Sequence, residues 1–141
     1  MSSENATAPA SIKLINPLKK FDSMTDIVCC LSVGKGTWGH VSRLIQDGEW
    51  ENIYIITNEF GKENFSSEKK FQTIVVDSNQ PLNDLKENIK KELDGKISGD
   101  VAVNFVSGTG KEHMAVMAAL LHLGVGIRLV ALTKEGISEI S

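Results

Sequence analysis

Two lysines, Lys35 and Lys111, each lie inside a glycine-bearing turn that follows an apolar run and precedes a helical pattern. The first turn reads Gly34-Lys35-Gly36-Thr37-Trp38-Gly39 and the second Ser107-Gly108-Thr109-Gly110-Lys111. Backbone N–H groups at such strand-to-helix turns point outward, and the helix dipole favours an anion in front of them. With an ammonium group added on each, the chemistry expected is the binding of a phosphorylated ligand. Gly34, Gly36 and Gly39 fit G-x-G-x-x-G, and Glu59 lies 20 residues beyond Gly39. That is the spacing of the acid that holds a ribose in dinucleotide-binding domains. A tight turn without a ligand is the plainer reading of the same glycines.

The second turn is not a phosphate loop of the Walker type. Phe105 stands where that motif needs its first glycine, and Glu112 follows the lysine where Ser or Thr would hold magnesium. The hydroxyls of Ser107 and Thr109, the N–H groups of Gly108 and Gly110 and the Lys111 ammonium suit a phosphodiester or a ribose. Lys111 is alternatively a solvated surface lysine. His40 and His113 fall near the starts of the two following helices. Either can contact a phosphate or move a proton, or be a capping or half-buried histidine. Trp38 can stack on a base, or serve as a core or dimer contact. Neither the histidines nor the two cysteines are spaced as metal ligands, and no cofactor is implied.

These residues need elements to position them. Residues 27–33 form a near-continuous β-branched apolar run, the pattern of a strand buried on both faces. Helical spacing follows over 37–46, with Thr37 as cap and Gly48 as stop. Further strands are expected at 53–57, 73–76, 101–106 and 126–132, and a short antiparallel return at 137–140. The polar stretch 58–70 holds at most a short helix. Pro81 opens a helix whose stripe is Leu82, Leu85, Ile89 and Leu93, closed by Gly95. The helix at 111–123 is expected to turn Met114, Met117, Ala118 and Leu121 inward. Alternating strands and helices predict an α/β class, a three-layer Rossmann-like fold with a mainly parallel sheet of about five strands plus a C-terminal hairpin. The carboxyl ends of its strands share one rim, and the turns after strands one and four flank the switch point where ligands bind.

Composition sets the outer limits. The chain has 141 residues and 41% hydrophobic content, enough for one core, so residues 21–141 are expected to form one domain behind a tail or edge segment at 1–20. A net charge of −3 argues against a general nucleic-acid coat, and direct binding to duplex DNA is not expected. Cys29 and Cys30 are neighbours in a strand-like run, hence on opposite faces, and read as buried filler. The first ten residues lack an export signal, and no apolar run is long enough for a membrane span, so a cytoplasmic location without membrane contact is expected.

The run Val103-Asn104-Phe105-Val106-Ser107-Gly108-Thr109-Gly110-Lys111, continued by Met114-Ala115 and Met117-Ala118-Ala119, resembles the strand-four motif of the CRISPR-associated Rossmann-fold (CARF) domains. In that family an Asn or Asp leads into a Ser/Thr-Gly-Gly-Thr-Lys-like turn. The second binding loop, after strand one, is matched here by Ser32 to Thr37. The resemblance spans about 26–140 and departs in its glycine order, Gly108-Thr109-Gly110-Lys111, and in the glycine-rich first loop. It implies a homodimer, with both loops forming one pocket across the two-fold axis for a cyclic oligoadenylate in antiviral defence. Its ligand contacts would be Ser32, Gly34, Lys35, Gly36, Thr37, Trp38, Asn104, Ser107, Gly108, Thr109, Gly110 and Lys111. Some members cleave their ligand slowly, as ring nucleases. Such metal-free cleavage needs only in-line positioning of a ribose 2′-hydroxyl and charge stabilisation, with Lys111, Ser107, His113 and His40 as candidates. The alternative is a nucleotide or dinucleotide-binding regulatory domain.

Overall fold

Every strand–helix alternation expected from the sequence is present in the structure, a computed structural model that describes residues 25–32 and 35–141. In chain order the elements are β1 (Asp26–Leu31), a single 3-10 turn (Lys35–Thr37), α1 (Trp38–Asp47), β2 (Ile53–Thr57), α2 (Glu59–Asn64) and β3 (Gln72–Val75). There follow α3 (Leu82–Leu93), β4 (Asp100–Asn104), α4 (Gly110–Leu123), β5 (Gly126–Thr133) and β6 (Gly136–Glu139). The segment 1–20 and the pair Val33-Gly34 lie outside the described residues.

The strands make one sheet in the order β3-β2-β1-β4-β5-β6. All neighbours are parallel except β5 and β6, which pair antiparallel. From β1 the chain winds outward to β3, then crosses back to β4 beside β1, so the strand order reverses between β1 and β4. Winding in opposite directions with right-handed crossovers places helices on opposite faces. Accordingly Val41, Leu44 and Ile45 of α1 pack with Ile27, Cys29 and Leu31 on one face. Leu85, Ile89 and Leu93 of α3, with Ala115, Val116, Ala119 and Leu120 of α4, pack with Val28 and Cys30 on the other. The alternation along β1 separates the two cysteines as expected, and both are free and buried. Burial pushes the Cys29 thiol up to about 12 and the Cys30 thiol well above its usual value, which leaves both unreactive.

The expected inward face of α4 is corrected by the structure. Met114 and Leu121 are 62% and 63% exposed, and Met117 and Ala118 are only half-buried. The face toward the sheet is Ala115, Val116, Ala119 and Leu120, each fully buried. Both faces are apolar, so periodicity cannot choose between them. The choice falls to the small residues Ala115 and Ala119, which let α4 approach the sheet and α3 closely. Leu82 is likewise 40% exposed, outside the stripe of α3. The strands at 27–33 and 101–106 end earlier than expected, at Leu31 and Asn104, because the chain leaves the ladder to form the rim loops.

Close packing also explains α2. Gly61 passes so near Thr57 that an added Cβ would collide with its Oγ1. Asn58 supplies the cap, its side chain accepting from the Gly61 N–H at 2.8 Å.

The two leucines at the end of α4 test the corrected face. Leu120→Ala should lower the unfolding free energy by about 3 kcal/mol through a core cavity. Leu121→Ala should cost less than about 0.5 kcal/mol, as exposed substitutions do. Urea denaturation of both variants measures this, and the reverse order would restore the original face.

Candidate functional site

The parallel pair β1 and β4 brings the two glycine-bearing loops side by side at the carboxyl rim. Ser32 is the first residue past β1 and is 2% exposed. Its N–H donates to Ser107 Oγ at 3.2 Å, and its hydroxyl donates to Glu112 Oε1 at 2.8 Å. Its carbonyl accepts from the indole N–H of Trp38 at 3.1 Å. The two loops are therefore joined by hydrogen bonds and not merely near each other.

Glu112 is the centre of this arrangement, and the sequence reading passed over it except as a mismatch to a phosphate loop. Its carboxylate, 3% exposed, also accepts from the Thr109 N–H at 2.8 Å and the Ser78 hydroxyl at 2.8 Å. Thr109 completes a capping box by accepting from the Glu112 N–H at 3.2 Å. The signal was legible: Thr109-x-x-Glu112 before an apolar run is the sequence form of that box. Burial pushes the Glu112 carboxyl up, but the bonds from Thr109, Ser78 and Ser32 outweigh it and hold it below its ordinary value. An anion expected in front of α4 is thus already supplied by the chain itself. Gly110 and Lys111 keep the N–H groups that the first turn of a helix leaves without intrahelical partners.

The remaining expected residues divide into two groups. Gly36 and Gly110 have open space around them, as does Gly39, so a ligand or solvent can come close to their backbone. Gly39 consequently performs none of the helix-to-strand packing that the third glycine of G-x-G-x-x-G performs in dinucleotide domains. Gly34 and the side chain of Lys35 lie outside what the structure describes. Thr37 occupies the cap position of α1 but makes no side-chain cap bond, contrary to expectation, because its backbone is already helical in the 3-10 turn.

The others are held by the protein. Trp38 packs against Phe60 and Phe65, with ring centres at 5.8 and 6.0 Å. Lys111 Nζ donates to the Ser78 carbonyl at 2.8 Å, tying α4 to the loop after β3. Ser107 is 1% exposed, and its carbonyl lies 2.8 Å from His113 Nε2, which must therefore carry the proton. The His113 ring stacks on Phe105 at 4.7 Å. Gly108 has φ of +104° and meets His113, Cys30 and Glu112 at 3.0–3.1 Å from an added Cβ, so only glycine fits there.

Asn104 is 1% exposed and wholly engaged. Its amide donates to the Val130 carbonyl at 2.8 Å and to His40 Nε2 at 3.4 Å, and its oxygen accepts from the Val106 N–H at 3.2 Å. His40 Nε2 also accepts from the Leu132 N–H at 3.3 Å, so its proton sits on Nδ1 and the ring bridges α1 to β5 as a neutral group. Burial lowers its pKa accordingly. Asn104 and His40 thus fix the rim ends of β4 and β5.

A cavity of about 580 Å³ opens at the neighbouring rim, beyond β2 and β3. Glu59 lines it, which places the acid of the expected spacing at a concave site. No model of a known protein family matches the chain, and no curated protein matches it in sequence.

Two expectations follow. Glu112→Ala removes the acceptor of three buried or half-buried donors and should cost about 3 kcal/mol in chemical denaturation, well above the roughly 1 kcal/mol of Thr109→Ala, which loses only the cap. Equal costs would mean that the carboxylate does no more than cap α4. For His40, a folded pKa below the unfolded value means that stability is fully present above about pH 6.5. It is lost as pH falls from there through the lowered folded pKa. The melting temperature should drop between pH 7.5 and 5.5 by more in the wild type than in His40→Gln. Parallel pH profiles would show that the ring is not held neutral.

Proposed function

We propose that this chain binds a cyclic oligoadenylate across a two-fold homodimer, with the loops after β1 and β4 of both protomers around the axis. The observation that carries the reading is the union of those loops at the switch point, tied by the Ser32–Ser107 and Ser32–Glu112 bonds. Gly36 and Gly110 leave the backbone open on this rim. The N–H groups of Gly110 and Lys111 and the ammonium groups of Lys35 and Lys111 are the donors for phosphodiesters. Glu112 repels an anion set directly on the α4 axis, so the phosphates belong on the outer side of the turn.

The dimer has its own support in α4. Met114, Met117, Ala118 and Leu121 follow helical spacing and form an apolar stripe that the monomer leaves uncovered. Beside it, β5 is followed by a hairpin instead of a helix, so Ile127 and Leu129 stay half-buried. Packing α4 against α4 of a second copy covers this surface and brings both rims to one axis. A ring with its own two-fold symmetry suits such a pocket.

The geometry favours binding without turnover. His40 Nε2 already accepts hydrogen bonds, Ser107 is buried, and His113 Nε2 is committed to the Ser107 carbonyl. A second reading, a dinucleotide bound by one protomer, is favoured by Glu59 in the rim cavity. It is weakened by the open surroundings of Gly39.

Sedimentation and calorimetry with cyclic tetra-adenylate or cyclic hexa-adenylate test the proposal. One ring per two chains is expected. Leu121→Glu should give a folded monomer with little ring binding, since this side chain makes no core contact in the monomer. Lys111→Ala should weaken binding about tenfold or more, against no change in Lys91→Ala on the exposed side of α3. A wild type that stays monomeric with saturating ring, or one ring per single chain, would exclude the two-fold pocket. Intact ring after long incubation in EDTA is the expected chromatographic result.

A further inference from the structure

The cavity beyond β2 and β3 has a construction of its own. Its apolar wall is Val75 and Val76, at the end of β3. Its polar wall includes Asn58, Glu59, Gln80 and Asn88. Asn88 Nδ2 donates to Gln80 Oε1 at 2.9 Å. That bond orients both amides. It leaves the Gln80 amino group as donor and the Asn88 oxygen as acceptor, and neither makes another hydrogen bond among the described residues. The 6-amino group and the adjacent ring nitrogen of adenine present the complementary pair, a donor beside an acceptor. Read at the N7 edge of the base, hypoxanthine and guanine present two acceptors, so their O6 would face the Asn88 oxygen. Glu59, without a hydrogen bond or ion pair among the described residues, is an acceptor for a ribose hydroxyl.

The wall is also preorganised. Gln80 N–H donates to the Asp77 carbonyl at 3.1 Å, and Asn79 N–H to Asp77 Oδ1 at 2.9 Å, closing the turn before α3. The same turn is tied to the start of α4 through Ser78, by Glu112 and Lys111. Strands lie ~4.8 Å apart, so the crevice between β2 and β3 is about one and a half strand spacings, ~7 Å, from β1. That matches the reach of one nucleotide from a phosphate over the β1 loop to its base.

We propose that this cavity is a nucleoside subsite that selects adenine through the Gln80–Asn88 amide pair, with Val75 and Val76 against the base. The proposal rests on the reading of the rim as a nucleotide site, and it places an adenine of the ligand away from the two-fold axis.

Adenosine and inosine monophosphates are the discriminating probes, with inorganic phosphate as the third. Each is titrated into the isotope-labelled protein and followed by amide spectra. The adenine nucleotide should shift the side-chain amide signals of Gln80 and Asn88 and bind about tenfold or more tightly than the inosine nucleotide. Gln80→Ala and Asn88→Ala should abolish that preference, since both side chains are at the surface and their loss spares the core. Equal affinity for the two nucleotides in the wild type, or a preference unchanged in both variants, overturns the subsite. Absence of any saturable shift with the adenine nucleotide at millimolar concentration does so too. Lys111→Ala separates the two readings. If the adenine preference depends on Gln80 while phosphate binding ignores Lys111, the subsite stands and the phosphate rim falls. If Lys111 governs all three probes and no adenine preference exists, the rim stands and the subsite falls.

Discussion

One buried carboxylate holds the rim together. Glu112 accepts hydrogen bonds from Ser32 after β1, Ser78 after β3 and Thr109 after β4, so three loops from separate parts of the chain converge on one side chain. A buried anion with no salt-bridge partner is costly unless several donors face it and a helix N-terminus lies behind it. Both conditions are met here. The result is a network in which moving any one loop strips a donor from a charged group. That makes the rim a rigid platform, and it places negative charge at one of the two helix starts that glycines and a lysine mark as phosphate sites.

The sheet topology decides what that platform can reach. Reversal of the strand order between β1 and β4 puts α1 and α4 on opposite faces. Asn104 and His40 then secure the β4–β5 side through the Val130 carbonyl and the Leu132 N–H. Arg128 closes the β5–β6 hairpin with two bonds to Glu139, at 3.2 and 2.9 Å. Rigidity on that side contrasts with the other, where the rim widens into the cavity beyond β2 and β3. In the proposed nucleotide site, phosphate and base each fall on one of these two parts of the rim.

Helix α4 joins the site to the surface that a second copy would cover. Its start is built into the Glu112 network, its inner face of small and branched residues lies on the sheet, and its outer face is apolar and open. Any event on the outer face therefore acts on the element that holds the loops. In the proposed dimer, assembly and ligand binding share one helix.

The sequence by itself determined the order of the elements, the parallel sheet, the separation of Cys29 and Cys30 and the nearness of the two glycine-bearing turns. Each of these follows from local pattern: β-branched runs, helical spacing, Pro81 and Gly48 at helix ends, and the handedness of crossovers. The tertiary structure decided which face of α4 is core, because both faces are apolar and only packing against α3 and the sheet selects Ala115 and Ala119. It also decided the roles of Ser32, Asn104, Ser107, His40 and His113. Their types suit ligand chemistry, but their hydrogen bonds go to partners up to 92 positions away along the chain. Partners at that distance leave no trace in spacing or periodicity. Glu112 stands between the two cases: its capping box is written in Thr109-x-x-Glu112, whereas the bonds from Ser32 and Ser78 exist only once the strands have paired.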